Sequence, residues 1–120
     1  MTAALIVSHG SHSDETRREV EELLAKIKDE HLVDILQYAF LDVDSPTIPQ
    51  GVENCVRAGA RHVIVVLNFL NSGKHVDEDI PQLVAAARAQ HPNVRISLTK
   101  PVGQHEKIPA LFCDLIRGSV

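Results

Sequence analysis

His9 stands in Ser8-His9-Gly10-Ser11, immediately after an apolar run, and His75 closes Asn71-Ser72-Gly73-Lys74-His75, shortly after another. An imidazole ligates divalent first-row metals and takes up or releases a proton near neutral pH. Each histidine follows a strand-like segment on a polar, glycine-containing turn, the place where parallel sheets carry their chemistry. Taken singly, His9 has an ordinary use as a turn cap. Taken together, two imidazoles reaching one sheet edge by separate routes make a site for a cation or a proton. His12, just beyond His9, offers a third ligand or a contact for an anionic substrate.

The remaining polar residues have plainer uses. Asp42 and Asp44 precede Pro46, a common turn position for aspartate. Asp77, Glu78 and Asp79 suit the positive end of a helix. Lys74 and Lys100 follow the third and fourth strand-like runs, whereas His31, His62, His91 and His105 sit at helix ends or strand starts. Ser72-Gly73-Lys74 is not a phosphate loop, because Asn68 stands where the first glycine belongs and no Ser or Thr follows Lys74. A histidine-phosphatase site needs an arginine before its histidine, and Ser8 holds that place. Neither the Asp-x-His-x-x-Gly of a vitamin B12 loop nor a Gly-x-Gly-x-x-Gly is present.

The elements that must hold these residues can be read from periodicity. Ala3 to Val7 is a continuous apolar run, suited to a strand covered on both faces. Ser13 is a good N-cap for a helix whose stripe is Val20, Leu23, Leu24 and Ile27. Val33 to Phe40 predicts a second strand, and Thr47 with Gln50 predicts a capping box for a helix burying Ile48, Val52, Cys55 and Val56. His62 to Leu67 predicts a third strand. A helix starting near Asp79, with Pro81 in its first turn, turns Ile80, Leu83, Val84 and Ala87 inward and stops at His91-Pro92. Val94 to Leu98 alternates as an edge strand should, and Ile108, Leu111, Phe112, Leu115 and Ile116 give a last helix. Strict alternation of strand and helix predicts a three-layer α/β sandwich over residues 1–120, a single domain with a four-stranded parallel sheet in the order 2-1-3-4. Its ligand edge lies at the switch point between strands 1 and 3, which is where His9 and His75 arrive.

Bulk properties narrow the class. The chain has 120 residues, 44% hydrophobic and 23% charged, a globular rather than disordered balance. A formal charge of −4 argues against nucleic acid as a partner, which needs a basic face. No apolar run approaches the roughly 20 residues of a membrane span, and no basic leader precedes the first strand, so neither a membrane partner nor a signal peptide is expected. Cys55 and Cys113 match no zinc or redox spacing and read as reduced, helix-borne core thiols of a cytoplasmic protein.

Ser8-His9-Gly10-Ser11 together with Gly73-Lys74-His75-Val76-Asp77-Glu78-Asp79-Ile80-Pro81 resembles the class II tetrapyrrole chelatases, most closely the small single-repeat sirohydrochlorin cobaltochelatases. The likeness runs over essentially the whole chain, including Ala39-Phe40-Leu41-Asp42 and Lys100-Pro101-Val102-Gly103. It implies a chelatase-like half repeat that inserts a divalent metal, Co²⁺ foremost and Ni²⁺ or Fe²⁺ as alternatives, into sirohydrochlorin for cobalamin- or sirohaem-type biosynthesis. In that reading His9 and His75 bind the metal, Asp42 joins them in proton transfer, and Ser11, His12, Lys74 and Lys100 meet the substrate's carboxylates. The metal is a substrate, so no permanently bound cofactor is expected. Asp42 occupies the place of a glutamate in many relatives, His12 that of an arginine, and Asn68 and Asn71 depart from an apolar Pro-x-Phe-Leu pattern. One lobe offers one wall to a flat macrocycle, so a homodimer is expected to supply two. The alternative function is a non-enzymatic metal carrier using the same two histidines.

Overall fold

The apolar run near the N-terminus is buried along its whole length because helices cover both sides of it. The structure, a computed structural model, describes all 120 residues. Strands β1 (Thr2–Ser8), β2 (Ile35–Phe40), β3 (His62–Leu67) and β4 (Arg95–Pro101) alternate with helices α1 (Asp14–Lys28), α2 (Ile48–Arg57), α3 (Ile80–Gln90) and α4 (Ile108–Arg117). All strand pairs are parallel, in the order β2-β1-β3-β4. This is the expected α/β architecture.

On one face α2 and α3 pack against Leu5, Val7, Ala39, Val63, Val65, Leu67 and Ile96. A Cβ on Gly51 would lie 2.9 Å from both the Ala39 Cβ and a Leu5 methyl, so the absence of a side chain lets α2 approach the sheet closely. On the other face α1 buries Val20 and Leu24 against Ile6 and Phe40. Both predicted caps form. Ser13 accepts the Glu15 N–H at 3.2 Å, and the Thr47–Gln50 box is closed in both directions.

The register does the positioning. Val7 pairs with Leu67 and Ser8 with Phe40, so β1, β2 and β3 end at one level. The residues that follow them, His9, Leu41-Asp42 and Asn68, therefore emerge side by side at one rim. At the β4 edge the pairing slips between Val65–Leu98 and Leu67–Pro101, placing an extra residue in β4. The Thr99 hydroxyl accepts the Leu67 N–H at 3.2 Å and satisfies a donor that the bulge leaves over.

Four expectations need correction. β2 starts at Ile35 rather than Val33. β4 runs on to Pro101 because the bulge keeps its ladder going past Leu98. Helical structure before Pro81 begins at His75 rather than Asp79, as a π-helical turn over His75–Asp79 in which the Ile80 N–H bonds the His75 carbonyl. Pro81 has no N–H to give the Asp77 carbonyl, so the tighter α pattern is interrupted there. Finally, α4 forms but buries none of its residues: Leu111, Phe112, Leu115 and Ile116 are 51–71% exposed. Cys113 is consequently exposed rather than part of the core, whereas Cys55 is sealed on the inner face of α2.

Burial pushes the Cys55 thiol up to about 11, leaving almost no thiolate near neutrality. In a Cys113→Ser chain, DTNB at pH 8 is expected to find no reactive thiol until denaturant is added. Prompt labelling of the native protein would contradict this packing of α2.

Candidate functional site

His9 is the first residue beyond β1, and its loop is welded to the loop after β2. The Leu41 N–H donates to the Ser8 carbonyl at 2.9 Å and the Asp42 N–H to the His9 carbonyl at 2.9 Å, continuing the ladder past the strand ends. Gly10 has φ +103°, and a Cβ there would fall 1.9 Å from the Asp42 carbonyl oxygen. Only glycine can make this turn, which presses the His9 and Asp42 loops together. Asp42 Oδ1 accepts the N–H of Val43 at 2.9 Å, and Val43 itself has φ 56°. A β-branched residue in that region is strained, and strain of this kind gathers at functional loops.

His75 opens the π-helical turn after β3. Its ring centroid is 5.5 Å from that of His9, with the planes at 73°. Two imidazoles bound to one cation at about 2.1 Å have ring centres on the order of 5 Å apart at a tetrahedral angle, so the spacing suits a shared ion. The neighbours also fix the chemistry of each ring. His75 Nδ1 is 2.7 Å from Asp79 Oδ2, and His9 Nδ1 is 3.3 Å from the Gly10 carbonyl. Both partners accept, so in each neutral ring Nδ1 carries the hydrogen and Nε2 keeps its lone pair for a metal or proton. Nowhere in the chain do three His, Cys, Asp or Glu side chains converge on one point, so the pair offers two ring nitrogens and no third protein ligand.

Beneath the pair, Asn68 Nδ2 donates to Ser8 Oγ at 3.0 Å, tying the end of β3 to the end of β1. Beside it, Arg17 reaches from α1 to Asp44 Oδ1 at 2.9 Å and to the Ser45 carbonyl at 3.1 Å. Asp44 Oδ2 accepts the Ser11 N–H at 3.1 Å. The Ser11 amide, with help from Arg17, holds the Asp44 carboxyl below its ordinary range, and Asp44, with Tyr38, raises the Arg17 guanidinium.

The other candidates are dispersed. Ser11 contributes its amide to Asp44 rather than to the rim. His12 lies in the same exposed loop, near enough to Asp44 to favour its charge. Lys74 directly precedes His75 and is exposed. Lys100 lines a different cavity of about 530 Å³, with Val66, Thr99, Pro101 and His105 but neither site histidine. A smaller cavity of about 350 Å³ does reach His9, lined also by Ser8, Thr16, Glu19 and Asn68. Sequence reasoning missed Asp79, Arg17 and the Asn68–Ser8 bond. The first carried a signal: His75 and Asp79 are four apart, and on any helical turn such residues are neighbours.

An open parallel sheet with two facing imidazoles over its carboxyl rim defines an α/β protein with its candidate site at the switch point of the strands. The CbiX family model matches residues 3–119, and the chain belongs to that family. It is 36% identical over 106 residues to the sirohydrochlorin ferrochelatase of Bacillus subtilis, a match covering 88% of this chain and 41% of that protein. It is 37% identical over 84 residues to the sirohydrochlorin cobaltochelatase of Methanococcus maripaludis, covering 70% of this chain and 58% of that one. The chain thus spans about half the length of these curated relatives. Among solved structures, the chelatase SirB of Bacillus subtilis subspecies spizizenii in complex with cobalt superposes with a TM-score of 0.87 at 32% identity, over 98% of this chain and 50% of SirB. A CbiX protein from Marinobacter aquaeolei, at 21% identity and a TM-score of 0.85, shares the fold over 97% of its length.

A carboxyl held low in the folded state stabilises fully above its unfolded value near 3.9 and loses that contribution as pH falls through the lower folded value. The stability difference between wild type and Asp44→Asn is therefore expected to stay constant from pH 7 to about 5 and to shrink toward pH 2. Urea unfolding across that range checks it.

Proposed function

We propose that this chain inserts a divalent metal into a sirohydrochlorin-type tetrapyrrole, with Co²⁺ the foremost metal and Ni²⁺ or Fe²⁺ the alternatives. The His9–His75 pair carries the reading. Imidazole suits all three ions, and two nitrogens leave most of a metal's coordination positions open, so the ion can be taken over by the four nitrogens of a macrocycle. Insertion releases two pyrrole protons for each metal bound. Once the metal has left them, the Nε2 atoms of His9 and His75 are free to accept protons, and Asp42 adds a carboxylate whose Oδ1 alone is engaged by its own loop. Lys74, Ser11 and His12 lie on the loops flanking the pair and Lys100 lies further along the rim, where each can meet a peripheral carboxylate. The names of the relatives, ferrochelatase and cobaltochelatase, support the reaction and leave the metal to experiment.

The test is the rate of Co²⁺, Ni²⁺ and Fe²⁺ insertion into sirohydrochlorin, followed by the absorbance change. His9→Ala and His75→Ala are each expected to lose at least tenfold. Near-normal rates in either variant would remove that residue from the mechanism, and a wild type that left the uncatalysed rate unchanged would make the protein a carrier.

The chain is proposed to act as a homodimer in the cytoplasm, where its two free thiols stay reduced. The support for a dimer is a reciprocal mismatch. The α4 helix presents Leu111, Phe112, Leu115 and Ile116 to solvent, while Ile64 and Val66 of β3 are only half-buried on the face that α1 leaves open. Two copies exchanging α4 onto that face would cover both, burying on the order of 1,500 Å², the size of a stable interface. SirB, about twice as long, has room in one chain for what two copies would supply here. Light scattering at micromolar concentration is expected to give a dimer for wild type and a monomer for Phe112→Glu/Leu115→Glu. A fully active wild-type monomer would refute the dimer.

A further inference from the structure

Arg17 reaches from α1 to the loop after β2, where Asp44 in turn holds the loop after β1, and it does so from an anchored position. Its guanidinium lies 5.3 Å from the centre of the Phe40 ring and 6.0 Å from that of Tyr38, with a long 3.4 Å hydrogen bond to the Tyr38 hydroxyl. Phe40 is fully buried and pairs in register with Ser8, the residue before His9. From this seat Arg17 Nη2 holds Asp44 Oδ1, and Asp44 Oδ2 holds the amide of Ser11. The chain of contacts therefore runs from a fixed point in the core, through one ion pair, to a backbone atom two residues past His9.

We propose that Arg17 and Asp44 are positioning residues that set where His9 holds the metal, although neither is placed on the metal or the macrocycle. The inference rests on the two-histidine reading of the site. The other ties of the His9 loop to its neighbours are the Leu41 and Asp42 amides, the Asn68–Ser8 bond and the close approach of Gly10. These act at or before Gly10. The Ser11–Asp44 bond fixes the far side of the turn to the loop after β2, and without it the residues after Gly10 have only local bonds, the Ser13 N–H to Ser11 Oγ at 3.1 Å and the Ser13 N-cap of α1, to locate them. A tilt of the turn moves the His9 ring relative to His75, whose own orientation is set independently by Asp79. Ion pairing contributes here through geometry: the planar fork of Arg17 bonds Asp44 and the Ser45 carbonyl through Nη2 and the Tyr38 hydroxyl through Nη1, a combination that a single ammonium does not reproduce.

The experiment is a titration of metal-free protein with CoCl₂, read by the visible ligand-field spectrum, at a temperature where every variant is folded by circular dichroism. Arg17→Met, which keeps the apolar packing on Phe40, and Asp44→Asn are each expected to raise the Co²⁺ Kd at least fivefold and to alter the band shape. Because they act in series, the double variant is expected to match the weaker single within twofold. Arg17→Lys should fall between wild type and Arg17→Met, which keeps the test valid if Met destabilises the fold. Arg57→Met, which breaks an exposed pair with Glu53 far from the rim, should bind as wild type. Lowered Tm with unchanged Kd and spectrum would overturn the proposal, leaving a purely structural role, as would multiplicative losses in the double variant. Wild type that binds Co²⁺ no better than His9→Ala/His75→Ala would instead overturn the two-histidine site and this inference with it.

Discussion

The parallel register of β1 with its two neighbours is the constraint from which the rest follows. Because Val7 lies opposite Leu67 and Ser8 opposite Phe40, three loops leave the sheet at the same height. Parallel pairing of buried strands is set by which faces are covered, and a one-residue slip of β1 would turn Leu5 and Val7 out of the larger core. The packing of hydrocarbon against α2 and α3 thus decides whether His9 and His75 can meet at all. Stability and chemistry share one determinant here, and it lies in the strands rather than in the loops that carry the imidazoles.

The loops then refine what the strands bring close. Gly10 against the Asp42 carbonyl, the strained Val43 and the Asn68–Ser8 bond each remove a freedom that a polar loop would otherwise keep. Order in these loops matters because two donors cannot hold a metal in place by themselves. A site with four protein ligands imposes its own geometry on the ion, whereas a two-imidazole grip relies on its supports to stay formed while empty. Under the proposed metal insertion, the same sparseness lets the ion be passed on.

The fold was legible because each element carried a physical signature. The apolar run of β1 suited a strand covered on both sides, the Thr47–Gln50 box closed as its spacing predicted, and β3 ran from His62 to Leu67 as its β-branched residues indicated. The meeting of the two histidines was likewise readable, since it needs only strand order and the rule that ligands gather at the switch point. What stayed hidden lay in side-chain pairings between distant loops. Nothing in Arg17 or Asp44 alone distinguishes a fastening from a solvated charge on a helix or a turn. Nor does the amphipathic pattern of α4 say which surface will cover it: the sequence specifies an apolar face, and the chain's own sheet does not receive it.

The acids around the rim show how residues of like charge take different parts. Asp44 is committed to Arg17 and to the Ser11 amide, so its charge is spent on holding a loop. Asp79 is committed to His75 Nδ1, where a carboxylate makes the opposite nitrogen a better donor. Asp42 has one oxygen engaged by its own loop, through the Val43 N–H. Were Asp44 or Asp79 without these partners, the rim would present extra hard oxygen donors, which favour ions such as Mg²⁺ that keep their water, over those that prefer nitrogen. Pairing Asp44 and Asp79 in this way leaves the two imidazoles as nitrogen donors facing one another at the rim, with the Asp42 carboxylate on the adjoining loop.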